Sequence, residues 1–324
     1  SFEESTRCSA VEVLTTVCEK ANSVVRATPG FAEELITLQL QLLCEIEANE
    51  QEWVSGAYES QDKIHTNDDE EMCSCAEEAI FRVMHAFGET ALQASLGMIS
   101  QWSSGTGPVP DWRGRRASLV IVQTLAVGCN KGMRKQLKDI MPVVLGCLAD
   151  AQQRVRFAAV ECVAIFADEY PTVFQRMYSR TVVPAMIAVF GEGSCDKVKG
   201  HAAAAMCNFA NPESCSSTAL EPHMDGLLSQ LCALLTAPGS SLATQEQALM
   251  AVSRIADLEA TASILREELA AAQEAAAAAA GHAKQFQALA GSSDEALRAM
   301  QAEHDRFKAA AEARAAAAAT EAAA

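Results

Sequence analysis

The architecture of this chain follows from the segment RVRFAAVECVAIFAD, residues 154–168. Its closing phrase, Phe166-Ala167-Asp168, has counterparts that close three other apolar segments: Leu125-Ala126-Val127, Phe209-Ala210-Asn211 and Ile255-Ala256-Asp257. The first residues of successive phrases are 41, 43 and 46 positions apart. A period in the forties is typical of helical arrays such as HEAT or armadillo repeats. One unit of this size cannot bury its apolar face alone, so the units must stack.

The composition favours closely packed helices. Of 324 residues, 50% are hydrophobic but only 5% are aromatic, and sheets prefer aromatic and β-branched residues. No apolar run reaches the length of about eighteen residues that a membrane-spanning helix needs, and no signal peptide is apparent at the N-terminus. We therefore expect a soluble, unsecreted protein without membrane association. Because the first residue is Ser rather than Met, we expect a piece of a longer protein.

The twelve cysteines are scattered, and we expect those at apolar helix positions to act as small hydrophobes. These are Cys18, Cys44, Cys147, Cys162, Cys207 and Cys232. Only Cys73-x-Cys75, between His65 and His85, resembles a metal site. Zinc sites use wider and more regular Cys/His spacing, so we predict no metal.

The formal charge of −17 excludes typical nucleic-acid binders, which need Lys and Arg to displace phosphate counterions. It favours basic partners through complementarity and faster encounter. Composition leaves open the alternative that the carboxylates only keep a helical array soluble. The sequence also lacks a phosphate-binding glycine loop, a Gly-x-Ser-x-Gly elbow and a nucleophile placed for His201 or His223. We predict no catalytic residues and no cofactor.

The repeats divide into helix pairs. The predicted pairs are 7–25 with 31–47, 72–90 with 91–102, 113–127 with 133–148, 154–168 with 173–190, and a helix from 197 to the break at 211–212 with 224–235; a further first helix, 244–257, has no recognisable partner. Pro142 leaves the continuity of one second helix in doubt. Arg154-Val155-Arg156 and Lys197-Val198-Lys199 occupy equivalent positions one repeat apart, and we expect these cations to pair structurally with Asp150 and Asp196.

An acidic insertion separates the first two pairs. It covers about residues 48–71 and is far longer than usual connections between bundled helices, so it is either functional or disordered. Three regions result: residues 1–110 with this insertion, residues 111–257, and an Ala-rich tail at 258–324.

Alanine has the highest helix propensity, so the tail predicts one or two long helices. Gly281 and Gly291 interrupt the pattern, and Ser292-x-x-Glu295 resembles a capping box at which a new helix begins. Because the apolar stripe on this segment is thin, we expect an exposed or coiled-coil helix rather than a continuation of the array.

Three phrases in order resemble the importin-β-like nuclear transport receptors, in particular their importin-5 (karyopherin-β3) type. They are Asp111-Trp112-x-x-Arg115, Leu148-x-Asp150-x-x-x-Arg154-Val155-Arg156-x-Ala158-Ala159 and His201-Ala202-Ala203-Ala204-Ala205-x-x-Asn208-Phe209. Upstream, Glu52-Trp53, an acidic stretch and then Glu77-Glu78-Ala79 resemble the way this type inserts its acidic loop. The resemblance covers about residues 1–257 and implies the interior of a much longer receptor with an all-α HEAT-repeat solenoid.

The resemblance also implies a function, in the cytoplasm and nucleus. Second helices of the pairs would line an acidic concave face for basic cargo proteins or Ran GTPase, and grooves between first helices would take FG nucleoporins. The protein-binding residues would lie in the acidic loop: Glu50, Glu52, Trp53, Asp68, Asp69, Glu70 and Glu71. Trp53 would anchor a partner, unless it packs on its own helix pair. The alternative function is a HEAT-repeat and coiled-coil scaffold without transport activity.

Overall fold

A computed structural model describes residues 3–46, 49–55, 71–191 and 193–322. Within those ranges every regular element is helical. The α-helices are α1 Glu4–Lys20, α2 Asn22–Ala27, α3 Phe31–Leu43, α4 Glu50–Ser55, α5 Glu71–Phe87, α6 Glu89–Ser103, α7 Trp112–Gly128, α8 Asn130–Leu148, α9 Gln153–Glu169, α10 Val173–Val189, α11 Asp196–Phe209, α12 Ser217–Leu220, α13 Met224–Thr236 and α14 Leu242–Ala322. The chain forms two compact units, Ser1–Ala262 and Ser263–Ala324.

The first unit consists of two layers of helices. Helices α1, α5, α7, α9 and α11 each pack against the next in one layer, and α3, α6, α8, α10 and α13 do so in the other. Each pair contributes one helix to each layer, which is the arrangement of a HEAT-repeat solenoid. The prediction of an all-α array of stacked helix pairs is confirmed.

The recurring phrase marks the core of each repeat. Leu125, Phe166 and Phe209 are fully buried, and Ile255 is nearly so. Phe174, from the other layer, lies edge-on against Phe166 at 5.6 Å and against Phe209 at 5.8 Å between ring centroids. The Phe174 ring therefore contacts the cores of two successive repeats, so these cores are complete only when the repeats stack.

Pro142 does not break its helix. Helix α8 runs from Asn130 through Pro142 to Leu148, and α10 likewise runs through Pro184. Proline removes one backbone hydrogen bond from a helix interior, but the residues around Pro142 bury an apolar face that includes Met141 and Val144. Tertiary packing thus maintains a helix that local chemistry disfavours.

Neighbouring repeats are tied by a charged turn. Arg115 of α7 donates to both carboxylate oxygens of Asp150, at 2.6 and 3.1 Å, and the Gln152 amide donates to one of them at 2.9 Å. Burial alone would raise the pKa of Asp150, but the hydrogen bonds from Arg115 and from this amide outweigh it and hold that pKa below its usual value. Arg156 donates to the Asp150 backbone carbonyl and to the Ser194 hydroxyl, the latter at 3.1 Å, and its charge helps to lower the pKa of Asp150. Arg156 thus binds Asp150 as expected, but through the backbone carbonyl, whereas the bidentate partner of the carboxylate is Arg115.

Asp196 has a different role from the one expected. Its carboxylate accepts hydrogen bonds from the Thr244 hydroxyl at 2.9 Å and from the Ser241 amide at 3.2 Å. Thr244 is fully buried in the first turn of α14. Asp196 thus fixes the start of α14 against α11.

Five of the six cysteines predicted to be apolar are buried. Burial raises the pKa of the Cys44 thiol to about 12 and that of Cys147 to about 11. Cys232 is exposed, so the prediction for it is wrong. It lies on α13 facing solvent, next to Leu231, which is fully buried.

The second unit is helical over its described residues. Helix α14 passes through Gly281 and Gly291 without a break, and the Ser292 hydroxyl donates back to the Leu289 carbonyl at 2.9 Å instead of capping a new helix. A glycine inside a helix costs only about 1 kcal/mol relative to alanine, which the surrounding alanines offset. Among the described residues, no helix combines the length and apolar character needed to cross a membrane.

Candidate functional site

A groove of about 850 Å³ opens between helices α5, α7 and α9 of the first unit. Its apolar lining includes Phe81, Val120, Val127, Phe157 and Ile165, and its carboxylates are Glu77, Glu78 and Glu161. Because neighbouring helices of one layer leave a shallow valley between their ridges, the groove follows from the stacking of the repeats. It combines an apolar surface with acidic groups.

An ion pair lies in the wall of the groove. Arg116 of α7 binds Glu77 of α5 at 2.5 Å and contacts the Cys73 sulfur at 3.6 Å. Burial would lower the pKa of the guanidinium, but the charge of Glu77 and the thiol of Cys73 raise it above its usual value. Arg116 therefore stays positively charged although its side chain is only 16% exposed. Since this pair is internally balanced, the acidic character of the groove comes from Glu78 and Glu161.

Glu161 is held by a buried histidine. Its carboxylate lies 2.5 Å from Nε2 of His201, which is 1% exposed. The His201 ring stacks on Phe157 with centroids 4.1 Å apart and planes 14° from parallel. This stack fixes Phe157 between the groove and the neighbouring helix α11.

Part of the acidic insertion forms a short helix. Helix α4 begins after Asn49, whose side chain accepts a hydrogen bond from the Glu52 amide at 3.3 Å and donates to the Glu52 carboxylate at 2.7 Å. Glu52 is exposed and Glu50 is half-buried. The structure thus places the first two acidic groups of the predicted site on an ordered element.

Trp53 attaches α4 to helices that are far away in sequence. The Lys197 ammonium lies 4.7 Å from the centre of its indole ring, and the Arg154 guanidinium lies 5.6 Å from it. Phe157 meets the same indole edge-on at 5.7 Å. Arg154 also lies 5.7 Å from the ring of Trp112. We call Trp53, Trp112, Arg154, Phe157 and Lys197 the aromatic–cation cluster.

Trp53 thus packs on side chains of α9 and α11, which are the first helices of two successive pairs. Of the remaining predicted residues, Glu71 begins α5, and Asp68, Asp69 and Glu70 lie outside the described residues.

Sequence reasoning did not assign Glu78 or Glu161 to a site. A signal was present in helix α9, where Glu161 is an acidic residue within an otherwise apolar run. The cluster left a weaker signal, since Arg154 and Lys197 stand one repeat apart and so lie on adjacent helices. Nothing in the sequence indicated that the Trp53 indole, which precedes Arg154 by 101 residues and Lys197 by 144, contacts both side chains.

The arrangement is suited to binding. Among the described residues, no three His, Cys, Asp or Glu side chains are grouped to hold a metal ion. An apolar groove with exposed and half-buried carboxylates provides complementary contacts to an extended segment that carries both cationic and apolar side chains.

Comparison with protein families gives two matches. A model described as an importin repeat matches residues 1–94, and a model described as the vacuolar 14 Fab1-binding region matches residues 113–182. The first match covers helices α1 to α5, the insertion and the first part of α6.

The chain is also similar to individual curated and solved proteins. It is 28% identical to importin subunit beta-3 of Saccharomyces cerevisiae over 261 residues, which cover 79% of this chain and 23% of that relative. Kap121p bound to RanGTP gives a TM-score of 0.71, and Kap121p bound to Nup53p gives 0.70; each is 25% identical and covers 79% of this chain and 24% of the other. Kap121p bound to Pho4p gives 0.68 at 25% identity, over 78% of this chain and 24% of the other.

The chain is thus homologous to importin subunit beta-3 and has the helical architecture of the karyopherins. The resemblance to the importin-5 type, drawn from three phrases and the insertion, is confirmed. The chain spans about a quarter of the length of these relatives.

Proposed function

We propose that this chain is a segment of a nuclear import receptor, without enzymatic activity, that works in the cytoplasm and the nucleus. The observation that carries the proposal is the groove between α5, α7 and α9, in which Glu78 and Glu161 lie beside Phe81 and Phe157. A HEAT array offers such valleys along its whole length, and their side chains decide what they bind.

The relatives support the choice of partners. Kap121p has been solved with RanGTP, with Nup53p and with Pho4p. By analogy we propose three kinds of partner for this chain, namely GTP-loaded Ran, nucleoporins and cargo proteins, and we propose further that the nucleoporins are FG nucleoporins and the cargo is basic. For the cargo the groove supports a specific chemistry, namely an extended peptide in which lysine or arginine alternates with apolar side chains.

The acidic insertion adds to this cargo site. Glu50 and Glu52 lie on α4, which Trp53 holds against the same helix α9 that forms one wall of the groove. We propose that these carboxylates, with Asp68, Asp69, Glu70 and Glu71, raise the encounter rate of basic partners, because clustered charges of one sign steer oppositely charged ligands.

The test uses the full chain and a fluorescent peptide with the sequence pattern just described. Binding is measured by anisotropy at physiological salt for the wild type, for Glu78→Gln and for the control Glu34→Gln, an exposed change on α3 outside the groove. We expect Glu78→Gln to weaken binding by about fivefold to tenfold, since one charge-assisted contact is lost, and Glu34→Gln to have no effect. Equal binding by all three proteins would exclude the groove as the cargo site.

A second arm separates the transport receptor from a scaffold. GTP-loaded Ran is added to the preformed peptide complex, with GDP-loaded Ran as the control. Release by the GTP form alone supports the receptor. Peptide that stays bound in both cases supports a HEAT-repeat and coiled-coil scaffold without transport activity.

A further inference from the structure

The helix of the second unit carries large apolar side chains on one face. Phe286, Leu289, Leu297 and Met300 are between 57% and 72% exposed. Phe286 precedes Leu297 by eleven residues, and Leu289 precedes Met300 by the same number. Eleven residues are close to three turns of an α-helix, so these four side chains form one nearly straight stripe. A stripe of this size on an exposed helix is unusual unless a partner covers it.

The stripe is symmetric about Ser293. Phe286 and Met300 are each seven residues from Ser293, and Leu289 and Leu297 are each four residues from it. A two-fold axis through Ser293, perpendicular to the helix, therefore places Phe286 against Met300 of a second helix and Leu289 against Leu297. We propose that this segment pairs with the same segment of a second copy of the chain, antiparallel and centred on Ser293.

Charge selects this orientation over the parallel one. Residues 281–292 carry one lysine, Lys284, and a formal charge of +1; residues 294–305 carry four carboxylates and one guanidinium, giving −3. Antiparallel pairing sets each −3 half against a +1 half of the other copy. Parallel pairing in register would also align the apolar residues, but it would place −3 against −3, and like charges on facing helices disfavour association.

The centre of the stripe permits close packing. Ser293, at the middle of the stripe, and Ala290 beside it are small, and the distance between two helix axes is set by the side chains at their contact. Two Leu–Leu contacts would flank this narrow crossing, with a Phe–Met contact beyond each. Burial of these eight large side chains would provide the main favourable term.

The experiment measures the mass of the full chain by sedimentation equilibrium over a range of micromolar concentrations. We expect a dimer for the wild type. The double variant Leu289→Glu with Leu297→Glu places charges in both Leu–Leu contacts and should weaken the dimer at least about tenfold. The matched control, Ala288→Glu with Ala299→Glu, adds the same charges eleven residues apart on the opposite face and should leave the dimer intact. Circular dichroism checks that helix content is equal in both variants.

A photo-crosslinking residue in place of Phe286 then shows whether the two helices pair antiparallel or parallel. Cross-links to the peptide that contains Met300 are expected. A monomeric wild type, a dimer that the Leu289/Leu297 variant does not weaken, or cross-links from position 286 to the same position or to the first unit would each overturn the proposal. These outcomes do not depend on whether the chain binds basic cargo.

Discussion

The ammonium of Lys197 lies 4.7 Å from the centre of the Trp53 indole ring, although the two residues belong to different repeats and the chain passes through six helices, α5 to α10, between them. Arg154 approaches the same ring at 5.6 Å. A cation over an indole is stabilised by the ring quadrupole, by about 0.5 kcal/mol when exposed and about 2 kcal/mol when desolvated. The described part of the insertion is therefore attached to the helical array by specific cation–indole contacts rather than by nonspecific apolar contact.

Trp53→Ala should release helix α4. We expect the amide hydrogens of residues 50–55 to exchange faster with solvent, because the variant loses the contacts with Lys197, Arg154 and Phe157 together. Hydrogen exchange followed by mass spectrometry measures this. Trp53→Phe keeps an aromatic ring and should show a smaller increase. Unchanged exchange in Trp53→Ala would show that other contacts hold α4.

Phe81→Ala should weaken peptide binding without changing its dependence on salt. The ring is 42% exposed in the groove, so its loss removes apolar contact area worth about 1–2 kcal/mol. Glu78→Gln should instead weaken binding most at low salt, because the Debye length falls from about 10 Å at 0.1 M to about 3 Å at 1 M. Titrations of the peptide at several salt concentrations distinguish the two effects. Parallel losses in both variants would contradict this division of roles.

Asp150→Asn should destabilise the chain by about 1–3 kcal/mol at pH 7, since Arg115 loses its charged partner. The native pKa of Asp150 is lowered, so its contribution is fully present above its unfolded pKa of about 3.9 and is lost as the pH falls through the native value. Urea unfolding of both proteins should therefore converge below about pH 3.9. Asp139→Asn, an exposed change on α8, serves as the control. A difference that persists unchanged into acid would contradict the linkage.

Tyr170→Phe should cost about 0.5–1.5 kcal/mol of stability. The hydroxyl of Tyr170 donates to the Ala126 carbonyl at 3.1 Å, and the residue is 2% exposed. This bond joins the end of α9 to the end of α7, so the change should lower the midpoint of urea unfolding and leave its slope unchanged. A changed slope would indicate that the repeats no longer unfold together.

Cys232 should be the thiol that reacts fastest with Ellman's reagent in the native protein at pH 8. It is exposed, whereas burial raises the pKa of Cys44 to about 12 and that of Cys129 to about 11. Only the thiolate is nucleophilic, so these buried thiols react slowly. Cys232→Ser should remove the fastest phase of the reaction. If that phase survives, a half-buried cysteine is more reactive than its exposure indicates.

The fold was largely predictable because successive repeats place buried apolar residues at equivalent positions, so the same packing pattern recurs along the sequence. Phe166 and Phe209 occupy equivalent core positions, and each confirms the period that the other suggests. The break expected at Ser292 was wrong because a capping pattern states only a local preference. Alanines on both sides make the continuous helix more stable than an interruption.

The groove and the insertion were less predictable. The sequence shows that Glu161 is an acidic residue within an otherwise apolar helix. Its position beside Phe81 and Glu78 depends on how α5, α7 and α9 pack. Likewise, the contact of the Asp150 carboxylate with Arg115, 35 residues earlier in the chain, depends on how α7 packs beside the turn that follows α8. Sequence spacing gives the register of a helix but not this packing.

By itself, the sequence determined the class of this protein: paired helices in stacked repeats, an acidic surface and a homology to nuclear transport receptors. These properties follow from periodicity and composition, which are sums over many residues and tolerate local error. Only the tertiary structure decided that Trp53 lies over Lys197 and Arg154, and that three helices enclose a groove with carboxylates. Such contacts join residues far apart in the chain, and their geometry is set by the packing of whole helices rather than by any local preference.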